Sequence, residues 1–167
     1  MQEIHNKNKI PLTKPEVFFL SMGGIGFLPK SPGTFASLAT IVPLYYLGKY
    51  NAPFILFIPI LLIMFGVSIF FTTQVQKKYQ IEDPSWIVID EFFGVFAMWP
   101  FLIPQSSWLN YLLGFVLFRL LDIFKPGPIG LLDKKLKNAF GVMLDDILAG
   151  LIAGLSCLLF SYFFTFA

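Results

Sequence analysis

Long apolar runs separated by short polar links dominate this sequence. The clearest runs cover residues 52–76, 107–124 and 140–166, and two weaker runs cover 33–48 and 86–104. A helix needs about 20 mainly apolar residues to cross the ~30 Å hydrocarbon core of a bilayer. We therefore predict an all-α, polytopic membrane helix bundle with about five transmembrane helices.

Two segments near the N-terminus do not fit a span. The apolar stretch 17–28 is too short to cross the bilayer, which favours a short re-entrant or interfacial segment. Residues 1–16 are polar and contain three lysines, so we predict a polar cytoplasmic tail there. Residues 17–167 then form a single membrane-embedded domain.

Composition supports the membrane assignment. Hydrophobic residues make up 56% of the chain and charged residues 13%, whereas soluble proteins average about 25% charged residues. Too few charged residues remain to cover the surface of a soluble domain. The same shortage excludes a disordered chain and a nucleic-acid-binding basic face, and the single cysteine, Cys157, excludes an internal disulfide.

The basic residues are distributed unevenly between the links. If the N-terminus lies in the cytoplasm, ten of the twelve basic residues fall on the cytoplasmic side, Lys49 falls outside, and Arg119 lies within a span. Basic residues accumulate on the cytoplasmic side of membrane proteins. This distribution predicts an N-in, C-out orientation.

Ionisable side chains recur inside the predicted spans, where each costs about 2.5–3.5 kcal/mol at the bilayer centre. All of them lie near the cytoplasmic ends of their helices, within about 10 Å of that face at ~1.5 Å per residue. They are Asp90, Glu91, Arg119, Asp122, Asp145 and Asp146. A structural polar network would also account for them, but paired short carboxylates at one depth favour a site.

The chemistry of these groups suggests a hard divalent cation beside an anionic ligand. Carboxylate oxygens suit Mg²⁺, and Arg119 and Lys125 could hold phosphate oxygens. The glycine-rich loop 23–34 is a second candidate phosphate site through Lys30 and Thr34, although a re-entrant loop of turn residues explains it equally well.

Three segments resemble a known family. FRLLDIFKPGPIGLLDKKLKNAFGVMLDDILAGLIAG (118–154) resembles the signature region of the phosphatidylglycerophosphatase A family, and GFLPKSPGTFASL (26–38) and VIDEFFG (88–94) resemble its other motifs in the same order. The resemblance implies a small, Mg²⁺-dependent bacterial membrane enzyme that hydrolyses phosphatidylglycerophosphate to phosphatidylglycerol and phosphate. The family acts at the cytoplasmic leaflet in phosphatidylglycerol synthesis.

The resemblance and the intramembrane charges together define an expected site in the membrane-embedded domain. The expected catalytic residues are Asp90, Glu91, Asp122, Asp145 and Asp146. Of these, Asp90, Glu91, Asp145 and Asp146 are the expected Mg²⁺ ligands. The expected phosphate- or substrate-binding residues are Lys30, Thr34, Arg119, Lys125 and Asp133. Asp122 either orients the cations or acts as a general base, and the nucleophile is either water or an aspartate.

The expected partner is a phospholipid substrate in the bilayer of the bacterial inner membrane, with the active site facing the cytoplasm. No nucleic-acid partner is expected, and a homo-oligomer stays open. The alternative function is a small ion- or proton-coupled membrane transporter that uses the intramembrane carboxylates. Transporters usually place such groups near the bilayer midplane, whereas here they share one side.

Overall fold

The computed structural model describes residues 10–81, 83–102 and 107–165, and within these ranges all regular structure is helical. The seven α-helices are α1 Pro15–Leu20, α2 Pro32–Lys49, α3 Ile58–Tyr79, α4 Ile89–Leu102, α5 Trp108–Phe124, α6 Pro128–Lys135 and α7 Ala139–Thr165. Single 3-10 turns occur at Ile25–Phe27 and Phe54–Leu56. The predicted all-α class is therefore confirmed.

The α4 helix lies at the centre of the bundle, packed against α7, α2 and α5. Glycines allow α4 and α7 to approach closely, because a Cβ on Gly150 would overlap the carbonyl oxygen of Gly94. One turn further along α7, a Cβ on Gly154 would lie 3.0 Å from the Met98 backbone. Pairs of small residues four positions apart commonly occur where two membrane helices pack closely.

Within the part of the chain that the structure describes, two helices, α3 and α7, are long and apolar enough to cross a membrane by length and composition. The other predicted spans correspond to α2, α4 and α5. The α4 and α5 helices have only 14 and 17 described residues, fewer than the ~20 that a straight span needs. Large apolar side chains such as Leu62, Ile63 and Phe70 are exposed on α3, as expected for a surface that meets lipid.

The predicted short segment 17–28 forms no span-length helix. It consists of α1, a glycine turn and the first 3-10 turn. The backbone N–H of Val88 donates to the Leu20 carbonyl at 3.0 Å, and Gly26 lies against the Trp86 carbonyl. These contacts fix the segment beside the chain that leads into α4.

Most predicted boundaries agree with the helix ends to within a few residues, but two regions differ. The α6 helix lies in a link for which no helix was predicted. Of the predicted tail, residues 1–9 lie outside the described residues, Ile10 is buried, and Pro15 begins α1.

Candidate active site

One end of the bundle holds a polar cavity of about 580 Å³. The first turns of α2, α4 and α7 meet there with the last turns of α5, and α6 covers one side. The cavity brings together every predicted site residue except Lys30, which is exposed and lies outside its lining. The predicted residues that line it are Thr34, Asp90, Glu91, Arg119, Asp122, Lys125, Asp133, Asp145 and Asp146.

Three of the carboxylates in the cavity lie close together. Asp90 and Glu91 lie in the first turn of α4, and Asp146 lies in the second turn of α7. One oxygen from each side chain lies within 4.8 Å of the others. Asp90 and Asp146 are only 8% and 5% exposed, so their charges are largely removed from water. We call these three residues the carboxylate triad.

The chemistry of the triad fits a divalent cation. Its oxygens are hard ligands of the kind that Mg²⁺ and Ca²⁺ bind. Glu91 Oε2 is buried without a hydrogen-bond partner among the described residues, which leaves a ligand oxygen available. Among the described residues, seven carboxylates and three basic side chains line the cavity, and such crowded negative charge is costly unless a cation compensates it. The triad could therefore bind a metal ion.

Asp145 is held differently from the triad. Lys125 Nζ donates to Asp145 Oδ2 at 2.5 Å and to Asp133 Oδ1 at 2.6 Å. The other Asp145 oxygen accepts the backbone N–H of Asp146 at 3.0 Å. Asp145, one of the four expected metal ligands, is therefore ion-paired with Lys125 in the structure. That Asp145 also binds a metal ion remains a prediction.

Lys125 reaches this position because α5 ends one residue earlier, at Phe124. Lys125 itself adopts a left-handed conformation, with φ of 43°, and its side chain turns toward α6 and α7. Burial alone would lower the pKa of the Lys125 ammonium, but the two carboxylates raise the pKa above its ordinary value. Lys125 therefore stays positively charged at neutral pH.

Arg119 provides the second cation of the cavity. Its Nη1 lies 2.7 Å from Asp122 Oδ2, one helical turn away, and 3.8 Å from Glu91 Oε1. Its Nε has no hydrogen-bond partner among the described residues. Asp122 thus fixes the guanidinium at the edge of the triad, where its unused N–H groups could donate hydrogen bonds to an anion.

The first turn of α2 closes the cavity on the Arg119 side. Gly33 is buried, and a Cβ at that position would overlap Glu91 Oε1 and lie 3.3 Å from Arg119 Nη1. Only glycine lets the start of α2 approach this pair so closely. A helix N-terminus also favours nearby negative charge through its backbone N–H groups.

Sequence reasoning missed several residues that line the cavity. Ser31 precedes α2, Asp83 and Ser85 lie in the link between α3 and α4, and Lys137 follows α6. The short link 83–85, which lies two residues before the VIDEFFG motif and contains Asp83 and Ser85, was an available signal. Its approach to the cavity depends on how the link folds over the bundle, which no local pattern specifies.

Comparison with known proteins places the chain in a family. The sequence model of the phosphatidylglycerophosphatase A family matches residues 18–161. The phosphatidylglycerophosphatase A of Haemophilus influenzae is 37% identical over 155 residues, covering 92% of this chain and 93% of that protein. The Escherichia coli protein of the same name is 34% identical over 149 residues, covering 88% of this chain and 84% of its own length.

A third relative has a different name. A Bacteroides thetaiotaomicron protein named as a candidate phosphatidylinositol-3-phosphatase is 34% identical over 131 residues, which is 76% of this chain and 81% of that protein. No solved structure matches the chain. The family match covers all the elements that build the cavity, from α2 to the first turns of α7. The chain therefore belongs to the phosphatidylglycerophosphatase A family.

Proposed function

We propose that this protein hydrolyses the terminal phosphomonoester of phosphatidylglycerophosphate and releases phosphatidylglycerol and phosphate. The observation that carries the proposal is the carboxylate triad beside Arg119, in a cavity at one end of an apolar helix bundle. A cavity with this charge repels a phosphate dianion unless a cation is bound. The family membership and the names of the relatives support the same substrate.

In this proposal Asp90, Glu91 and Asp146 hold Mg²⁺. When bound, the ion supplies charge neutralisation at the phosphoryl oxygens and lowers the pKa of a water molecule. Arg119 binds the phosphate through its unused N–H donors, in the orientation that Asp122 sets. The Asp122–Arg119 ion pair favours the orienting role for Asp122 over that of general base.

Lys125 contributes a fixed positive charge, and its ion pairs hold Asp145 and Asp133 on the far wall of the cavity. Thr34, at the start of α2, lies where its hydroxyl can face the substrate phosphate. Lys30 is exposed next to this turn, so its role is to attract an anionic headgroup rather than to bind it inside the cavity.

We also propose that α2, α3, α4, α5 and α7 all cross the bacterial inner membrane, with the cavity at the cytoplasmic leaflet. The basic links support this orientation. Lys30, Lys77 and Lys125 belong to links or helix ends on the cavity side, whereas Lys49 ends α2 on the opposite side. Basic residues mark the cytoplasmic face.

The orientation can be tested with single cysteines in a Cys157→Ala background. Lys30→Cys and Lys49→Cys are compared in sealed right-side-out and inside-out vesicles, with a membrane-impermeant maleimide. We expect Lys30→Cys to react only in inside-out vesicles and Lys49→Cys only in right-side-out vesicles. The reverse pattern would place the cavity on the outer face.

The activity is tested with the purified protein in detergent micelles. We expect phosphate release from phosphatidylglycerophosphate that stops on addition of EDTA and returns with excess Mg²⁺. Phosphatidylinositol 3-phosphate serves as the comparison substrate, because a relative is named for it. Absence of phosphate release from the first lipid with any divalent metal would refute the proposal, and a preference for the second would reassign the substrate.

The transporter alternative is not favoured. Seven of the eight described carboxylates, all except Glu16, line one cavity at one end of the bundle rather than at its middle. The packed core of α4 and α7 closes that cavity on the opposite side.

A further inference from the structure

A second cavity, of about 410 Å³, lies between α2 and α5. These two helices also contribute to the polar cavity, through the first turn of α2 and the last turns of α5. The described lining residues fall between positions 38 and 46 and between positions 108 and 115; they are aliphatic or aromatic and uncharged, and three of them are tyrosines. Its volume is within the range of about 300–1,000 Å³ that is usual for small-molecule sites.

The cavity is a groove that opens sideways. Ile41 and Tyr111 form its floor and are only 7% and 3% exposed. Val42 and Leu112 form its rims and are 55% and 41% exposed. The opening therefore faces the lateral, apolar surface of the bundle rather than the polar end.

The groove and the polar cavity lie at successive positions along the same two helices. The α2 helix begins at that cavity and α5 ends there, so the two helices run antiparallel. Leu38 in the groove lies about one turn beyond Thr34, and Phe115 lies about one turn before Arg119. From Thr34 to Tyr46 the distance along α2 is about 18 Å at 1.5 Å per residue. This length slightly exceeds half of the ~30 Å hydrocarbon core, the depth that one leaflet occupies.

We propose that one acyl chain of the phospholipid substrate lies in the α2–α5 groove while the phosphate of the same molecule occupies the polar cavity. This inference rests on the proposed function. When the headgroup of a lipid lies at the triad, the acyl chains of the same molecule extend into the membrane alongside the residues that line the groove. The aliphatic and aromatic walls of the groove suit a hydrocarbon chain and present no charged group to a polar ligand. The bundle thus selects a membrane lipid over a water-soluble phosphomonoester by binding both of its ends.

The test compares two chain lengths of one substrate. Phosphate release is measured in mixed micelles for dioleoyl and for dihexanoyl phosphatidylglycerophosphate, and the result is the ratio of their kcat/KM values. Val42→Trp and Leu112→Trp narrow the groove from opposite walls. Ile63→Trp, on the exposed face of α3, is the matched control.

We expect each groove variant to lower the long-chain to short-chain ratio about tenfold, because a few methylene groups lose their contacts. The ratio in Ile63→Trp stays at the wild-type value. An unchanged ratio in both groove variants would overturn the groove assignment. Wild-type protein that hydrolyses neither lipid would instead overturn the proposed function.

A second measurement does not depend on the variants folding. Wild-type protein is irradiated in micelles with phosphatidylglycerol that carries a diazirine in the middle of one acyl chain. Labelling concentrated in residues 38–46 and 108–115 supports the groove. Labelling that is as strong on α3 as in these segments would refute it.

Discussion

Replacing Gly33 with alanine tests whether the first turn of α2 sets the position of Glu91. The added Cβ would overlap Glu91 Oε1 and lie 2.9 Å from Glu91 Cδ, whereas carbon atoms in contact are about 3.5–4.0 Å apart. The carboxylate must therefore move by more than about half an ångström, with its oxygen moving further. Gly33 does not have a left-handed φ, so alanine suits the helix itself.

The expected result is a loss of activity with the fold retained. A misplacement of about 1 Å at a catalytic group can lower the rate about 10²-fold, which corresponds to about 2.7 kcal/mol in the activation free energy. Phosphate release from phosphatidylglycerophosphate is measured across a Mg²⁺ titration, and thermal unfolding is followed by circular dichroism. We expect a lower kcat/KM and a higher Mg²⁺ requirement.

Two further variants complete this experiment. Gly66→Ala is the control, because no atom lies within 4 Å of a Cβ at that position of α3, and it should keep wild-type activity. Glu91→Asp shortens the side chain that the new methyl group meets. The Gly33→Ala/Glu91→Asp double variant should therefore lose no more activity than Glu91→Asp alone. Wild-type activity in Gly33→Ala, or fully additive losses in the double variant, would refute the proposed contact.

Three other variants probe the triad, the Lys125 ion pairs and the helix crossing. Asp146→Asn should lower phosphate release by at least about 10³-fold without changing the circular dichroism spectrum, since it removes one charge from the triad; activity within tenfold of wild type would exclude Asp146 as a ligand. Lys125→Met should lower the unfolding temperature more than Asp133→Asn does, because it leaves Asp145, 2% exposed, without its cation; equal shifts would contradict the described pairing. Gly150→Ala should destabilise the protein by about 1–3 kcal/mol through the α4–α7 contact, and unchanged urea unfolding would contradict the close approach.

The sequence alone determined the helical class and most helix positions, because the span of an apolar run depends only on local composition. It also identified the family, since the motifs around Asp90, Asp122 and Asp145 are contiguous in the chain. The prediction that the charged residues lie near the same end of their helices followed from the helical rise per residue. All of these properties can be read from neighbouring residues.

The tertiary structure decided which charges meet. The packing of α4 against α7 places Asp146 beside Asp90 and Glu91. Asp145, which precedes Asp146 in the chain, is instead paired with Lys125. Adjacent residues on a helix point about 100° apart, so two successive aspartates face different partners. Which partner each one meets depends on the glycine contacts that bring α4 and α7 together and on the conformation of Lys125 at the end of α5. These are contacts between distant segments, and no local pattern in the chain specifies them.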